Sequence, residues 1–256
     1  MILCIDMGNT SIRCVLGTRE NHRMAITDTC EIIDADCFVS FIRENFGKDS
    51  EKITDCILSS VVPQKNTIVL QAVQMLNRDV IIKHVDVTRC GIDFSQYKNN
   101  LGEDRAVCCM AAVEKYGAPV IVIDCGTATT INIIDENRVF LGGAILTGVQ
   151  TGIDALARVT ARLPKIDLSE NGFIDTKLIG GNTEECLVSG ALIGTACVIE
   201  GYVRRIKAQF ASHGMPAPTT IITGGYGSKV VPYCDFDFIF EQTLLIEGLF
   251  QLYEIS

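Results

Sequence analysis

Two short segments carry the residue types that phosphate chemistry needs. The first is Asp6-Met7-Gly8-Asn9-Thr10, reached from an apolar run and followed by alternating residues over 11–16. The second is Asp124-Cys125-Gly126-Thr127-Ala128-Thr129, also reached from an apolar run and followed by a β-type stretch over 130–134. Asp6 aligns with Asp124, and Gly8 with Gly126, at one offset of 118 residues. In each segment a carboxylate ends a buried strand and can orient a cation. A glycine then allows close backbone approach, and small hydroxyl or amide residues fill the turn. One copy alone reads most simply as a hairpin, since Gly, Asn and Thr are ordinary turn residues. Two copies in register point to a duplicated phosphate-binding fold, with related halves facing each other across a nucleotide.

Other residues invite chemistry less directly. Gly102-Glu103-Asp104-Arg105 opens a helical pattern. An acidic residue in a first turn is favoured by the helix dipole at ~0.3–1 kcal/mol, and that alone accounts for Asp104. The same carboxylate could act as a general base. Arg105 fits either a surface position or a bidentate anion contact. Thr183 precedes Glu184 and Glu185, a pattern that fits an N-cap, a ligand contact or both. His22, His84 and His213 are isolated and are assigned no chemistry. Of the 12 cysteines, Cys4, Cys14, Cys56, Cys108, Cys109, Cys125 and Cys197 lie in apolar patterns. With no CxxC spacing, they read as small buried hydrophobes in a reducing compartment.

The elements that must position these residues follow from periodicity. Strands are expected over residues 1–5, 12–17 and 23–32, then a helix capped by Asp36 and stopped by Gly47, with Phe38, Phe41, Ile42 and Phe46 on one face. A strand over 56–62, a helix over 64–77, a strand over 80–85, a loop over 88–100 and a helix over 102–116 complete the first half. The second half restarts with strands over 120–123, 129–134 and 139–145. Helices over 148–162 and 183–210, a strand over 219–223, a short strand over 236–240 and a helix over 241–253 follow. Three strands followed by alternating helix and strand occur twice. The fold class is therefore α/β, with a boundary near Gly117 giving halves 1–117 and 118–256. No low-complexity linker separates them, so the halves are expected to pack with the nucleotide in the cleft between them.

Composition narrows the function class. The 256-residue chain is 48% hydrophobic and 21% charged, enough apolar material for a well-filled core. A net charge of −9 with no Lys/Arg run argues against a nucleic-acid surface. No basic n-region and cleavage pattern opens the chain, and no apolar stretch is read as the ~18 residues that span a bilayer. A cytosolic protein without a membrane partner is expected.

Taken in order, the motifs resemble a family. The duplicated Asp-x-Gly turns resemble the sugar kinase/Hsp70/actin superfamily, built from two tandem ribonuclease-H-like halves. Within it, the chain is similar to type III pantothenate kinases along nearly its whole length. The resemblance rests on the two turns, Gly102-Glu103-Asp104-Arg105, and Gly142-Gly143-Ala144-Ile145-Leu146-Thr147-Gly148. Ala155-Leu156, Thr160-Ala161-Arg162-Leu163-Pro164, Gly181-Asn182-Thr183 and Thr223-Gly224-Gly225 complete it. It implies ATP-dependent phosphorylation of pantothenate, the first step of coenzyme A synthesis. Asp6 would orient Mg²⁺, while Gly8, Asn9 and Thr10, within a nucleotide-binding run that includes Met7, Ser11, Ile12 and Arg13, cradle phosphate oxygens. Gly126 and Thr127 would do the same from the second half. Asp124 matches a monovalent-cation ligand for K⁺ or NH₄⁺, and Asp104 matches the catalytic base. Gly102, Glu103, Asp104, Arg105, Tyr97 and Thr183 match the pantothenate site, which in this family lies at a homodimer interface. Three positions depart from the pattern. The run Tyr97-Lys98-Asn99-Asn100 lacks a proline, Glu103 stands where a small residue is usual, and Thr147 stands where proline is common. A superfamily kinase acting on another small acceptor, or a non-catalytic regulatory relative, are the alternatives. An actin- or Hsp70-like ATPase module would need subdomains that this length does not hold.

Overall fold

A computed structural model describes residues 1–98, 101–168 and 176–255. Asn99 and Asn100, the end of the loop expected over 88–100, lie outside the described residues.

Each apolar run that precedes a turn becomes the central strand of a sheet. In the first sheet β1 (Ile2–Met7) is buried from Leu3 onward. It pairs antiparallel with β2 (Ser11–Gly17), which pairs antiparallel with β3 (His22–Asp28). The chain then forms α1 (Ala35–Phe46), β4 (Asp55–Ser60), α2 (Pro63–Leu76) and β5 (Ile81–His84). β4 lies parallel to β1, and β5 parallel to β4, giving the order β3-β2-β1-β4-β5. A helix, α3 (Glu103–Tyr116), leads to β6 (Val120–Cys125), β7 (Ala128–Ile134) and β8 (Phe140–Thr147). After α4 (Val149–Val159) and α5 (Thr183–Ser212) come β9 (Thr219–Thr223), α6 (Gly227–Val230), β10 (Ile239–Phe240) and α7 (Leu244–Ile255). The second sheet has the order β10-β9-β6-β7-β8, with β9 parallel to β6. Read from its meander, it repeats the first sheet strand for strand, so the duplication seen in the turns extends to whole sheets.

Two compact units result. One comprises Met1–Ile92, Lys98–Ala111 and Leu244–Ser256, and the other Asp93–Tyr97 and Ala112–Thr243. Helix α7 thus groups with the first sheet. There Tyr253 Oη donates to Asp55 Oδ1 at 2.5 Å, and Lys83 Nζ donates to the Tyr253 carbonyl at 3.2 Å. The core of the first unit joins Leu3, Ile5 and Ile12 of the sheet to Phe38, Ile42 and Phe46 of α1 and Val69 and Val73 of α2. In the second unit Ile121, Ile123 and Ile131 meet Val188, Leu192, Ile199 and Val203 of α5.

Three details differ from the sequence reading. The cap of α1 is Asp34, whose carboxylate accepts from the Cys37 N–H at 2.8 Å, so Asp36 falls in the first turn. Cys197 is exposed, because it lies off the buried stripe of α5, whereas Cys4, Cys14, Cys56, Cys108, Cys109 and Cys125 are buried as expected. Finally, α5 is long and apolar enough to cross a membrane by length and composition. Its residues 188, 192, 196, 199, 203, 206 and 210 recur at three- and four-residue steps and enter the core, the pattern of a helix with one face packed inside a globular unit.

Candidate active site

In the first unit, β1 ends at Asp6 and Met7, and Gly8, Asn9 and Thr10 turn the chain into β2. Asp6 is 8% exposed, and Arg13, its cross-strand partner, brings Nη1 to 3.8 Å from Asp6 Oδ2. The turn is tied inward. Gly8 N–H donates to the Ser11 carbonyl at 3.0 Å. The buried Thr29 takes up two carbonyls, donating its N–H to Thr10 O and its hydroxyl to Gly8 O, both at 2.8 Å. Carbonyl oxygens are thereby drawn toward Thr29, leaving Asn9 and Thr10 as exposed side chains at the tip.

The parallel neighbour β4 brings the second group of residues to the same sheet edge. Ser59 lies beside Asp6 and Ser60 beside Met7, and Val61 N–H donates to Met7 O at 3.0 Å. Ser60 N–H in turn donates to Glu103 Oε2 at 2.9 Å, which draws the start of α3 against the end of β4. Gly102 accepts from Ala106 N–H at 3.1 Å, opening the helix, and Asp104 Oδ1 accepts from Arg105 N–H at 2.8 Å. This carboxylate folds back over Gly102: a Cβ there would stand 2.5 Å from Asp104 Oδ1. Glu103, Asp104 and Arg105 are half-buried. Burial raises the Glu103 carboxyl above its ordinary range. The Ser60 N–H and the positive side of His84 oppose the rise, and the Asp104 charge adds to it. The structure thus joins Asp6 through Arg13 with Gly102 through Arg105 in one unit, bridged by Ser59, Ser60 and Val61.

The second unit holds the other turn. Only Gly126 and Thr127 separate β6 from β7, one residue fewer than in the first copy, and Gly126 N–H donates to Ala128 O at 3.1 Å. Thr151 of α4 donates its hydroxyl to Thr127 O at 2.7 Å. Asp124 is half-buried beside Thr223 of β9, the place that Ser59 takes beside Asp6 in the first sheet. After Thr223 the chain passes through Gly224 at φ +97°, where a Cβ would stand 2.3 Å from Asp124 Oδ1 and 2.5 Å from Cys125 N. Glycine is required there on both counts.

Two expected residues, Tyr97 and Thr183, fall in the second unit. Tyr97 belongs to the second unit, where its ring stands edge-on to Phe140 with centroids 5.3 Å apart, whereas Gly102 through Arg105 belong to the first. Thr183 is exposed and is the first residue of α5. The cap is Asn182, which accepts from Glu185 N–H at 2.9 Å, while Glu185 accepts from Gly181 N–H at 2.7 Å. The Thr183 hydroxyl is not used as the cap.

Sequence reasoning missed Thr29, Ser59, Ser60 and Thr151. A signal for two of them was present. Ser59-Ser60 ends an apolar run parallel to the first aspartate strand, as Thr223-Gly224 does for the second. The Ser59 hydroxyl is buried and without a hydrogen-bond partner among the described residues. A polar atom left so beside Asp6 fits a site completed by something outside the chain. No group of three or more His, Cys, Asp or Glu side chains gathers among the described residues, so an all-protein metal cage is not formed there.

Comparison with known proteins follows the same lines. A family model described as type III pantothenate kinase matches residues 2–205. A type III pantothenate kinase of Persephonella marina is 33% identical over 259 residues, covering 99% of this chain and 98% of that protein. Among solved structures, one named as a Baf family transcriptional activator from Campylobacter jejuni superposes with a TM-score of 0.60 at 20% identity, covering 99% of this chain and 98% of its own. Another, named as a 2-dehydro-3-deoxygalactonokinase from Sinorhizobium meliloti, gives 0.58 at 14% identity, covering 100% and 96%. The two structures establish the fold, two ribonuclease-H-like lobes each built on one five-stranded sheet.

Proposed function

The chain belongs to the type III pantothenate kinase family, and from that premise we infer that it moves the γ-phosphoryl group of ATP to the primary hydroxyl of pantothenate. The product, 4′-phosphopantothenate, feeds coenzyme A synthesis. The observation that carries the site assignment is the shared edge of the first sheet. There β4 links the Asp6 turn to the helix start bearing Asp104 and Arg105.

Phosphoryl transfer asks the protein for positioning and charge neutralisation more than for covalent chemistry. The attacking hydroxyl oxygen bonds to the γ-phosphorus in line as the bond to the bridging oxygen of ADP breaks. Asp104 accepts the hydroxyl proton, a role typically worth ~10²–10⁴-fold. Arg105 offers a planar fork to the pantothenate carboxylate. Within the first unit Asn9 and Thr10 donate to phosphate oxygens, helped by the capture of the Gly8 and Thr10 carbonyls by Thr29. A divalent ion such as Mg²⁺ would be held by the buried Asp6 carboxylate, with the Ser59 hydroxyl, which has no hydrogen-bond partner among the described residues, beside it. When bound it neutralises charge developing on the β- and γ-phosphates. Asp124, braced by Gly224, would hold a monovalent cation, K⁺ or NH₄⁺.

The protein is further proposed to act as a homodimer through its second unit. Ile145, Leu156, Val159, Val198 and Tyr202 are exposed there, and a groove of about 530 Å³ runs between α4 and α5. An apolar surface of this kind marks an association face, and a second copy supplies the same apolar chemistry.

The reaction is tested with purified protein, ATP, Mg²⁺ and pantothenate, in K⁺ and then in Na⁺ buffer, with the product identified by mass. Phosphopantothenate in K⁺ with little in Na⁺ is expected. Product in both keeps the kinase and removes Asp124 as a selective cation ligand. No product in either, from folded protein, refutes the reaction.

A further inference from the structure

The residue that precedes α3 cannot supply a side-chain cap. Gly102 precedes the helix and, though its carbonyl accepts from Ala106 N–H, it has no side-chain oxygen to offer the N–H groups of the first turn. Asp104 uses its own Oδ1 on the Arg105 N–H, which binds the carboxylate locally but does not tie the helix to anything else. Glu103 makes a long-range tie. Its Oε2 accepts from Ser60 N–H at 2.9 Å across 43 residues of sequence. Ser60 is itself fixed: its hydroxyl donates to Asn66 Oδ1 at 2.6 Å and accepts from Val62 N–H at 3.1 Å. Its neighbour Val61 is bonded to the end of β1, at the phosphate turn.

We propose that Glu103 is a positioning residue, whose carboxylate straps the first turn of α3 to the end of β4 and so sets the directions of Asp104 and Arg105. A glutamate here would otherwise be a liability, since it places a second negative charge beside the proposed base. The strap gives that charge a fixed partner on the side of β4. Glu103 then acts on the reaction through its two successors and need not touch substrate. The inference rests on the assignment of Asp104 and Arg105 above.

The test uses the full-length protein and two variants, Glu103→Ala and Glu103→Gln. Each is checked by thermal melting and by the affinity for a fluorescent ADP analogue. Glutamine keeps an acceptor oxygen for Ser60 N–H but carries no charge. Loss of one hydrogen bond that orients a reacting group is expected to lower kcat/KM for pantothenate ~10–100-fold in Glu103→Ala, with KM for ATP unchanged. Glu103→Gln is expected to recover activity to within about fivefold of the parent. Unimpaired kcat/KM in Glu103→Ala overturns the strap. So does equal impairment of both variants, which would assign the effect to charge. If Glu103→Ala fails to fold, Glu103→Gln decides alone, since a folded glutamine variant with strongly reduced kcat/KM refutes the inference. Parent protein that consumes no ATP in the presence of pantothenate would sink the underlying reaction instead, a result distinguishable from either variant.

Discussion

Replacing Gly102 by alanine should damage catalysis far more than folding. The added Cβ would lie 2.5 Å from Asp104 Oδ1, with Val61 Cγ1 at 3.8 Å. Ordinary contact begins near 3.4 Å, so the carboxylate must give way by about 1 Å. It can do so, because the atom in the way is the end of a side chain and not backbone. The fold therefore loses about 1 kcal/mol, the typical cost of a substitution at a helix start. In a chain of this length that is a fall of about 2–4 °C in Tm. Catalysis has no such slack. A misplacement of ~1 Å in a reacting group costs about 10²-fold, equivalent to ~2.7 kcal/mol of barrier. Steady-state kinetics with saturating ATP and varied pantothenate, beside a melting curve, provide the assay. The expectation is a kcat reduced about 10–100-fold with Tm nearly unchanged. A Gly102→Ala enzyme with kcat within about twofold of the parent would refute the reasoning, by showing that the position of the Asp104 carboxylate does not matter.

Other consequences follow from the same geometry. Gly224→Ala places a side chain against Asp124 Oδ1 and Cys125 N at positive φ, so it should cost about 2–4 kcal/mol in urea unfolding; parental stability would contradict the close approach. Leu156→Glu puts a charge in the groove between α4 and α5 and should convert a dimer to a monomer in light scattering, whereas an unchanged mass would place the interface elsewhere. Tyr253 is pushed up to about 12 by burial first and then by its bond to, and the charge of, Asp55. A phenol whose pKa is raised on folding binds its proton more tightly in the native state. Its contribution is therefore complete below the unfolded value near ~10 and is lost as pH rises toward the folded value. Tyr253→Phe should lower stability by about 1 kcal/mol at neutral pH and remove that alkaline decline, and a variant with the parental slope would contradict it.

The sequence made the paired turns legible because chemistry and topology coincide there. A carboxylate at the end of a buried strand followed by glycine is both a local pattern and the edge of a sheet. The return of α7 to the first unit left no local trace, because it depends on Tyr253 meeting Asp55 and Lys83 across 198 and 170 residues of sequence. The cap of α1 was misplaced by two residues, since Asp34 and Asp36 are equally good formers and only the backbone geometry chooses between them. For Thr183, the adjacent Asn182 took the cap, which no spacing argument separates from a threonine cap. The strap from Glu103 to Ser60 was invisible for another reason. It joins a side chain to a backbone N–H, and a backbone donor carries no sequence signature.

The central claim is that Asp104, set on the same sheet edge as the Asp6 turn, takes the hydroxyl proton of pantothenate during transfer. Single-turnover phosphorylation by Asp104→Asn, compared with the parent enzyme, tests it most directly. Asparagine preserves size and the acceptor for Arg105 N–H but cannot take the proton. The account predicts a folded variant that binds ATP normally and transfers ~10²–10⁴-fold more slowly. Transfer at near the parental rate would contradict it and remove Asp104 as the base.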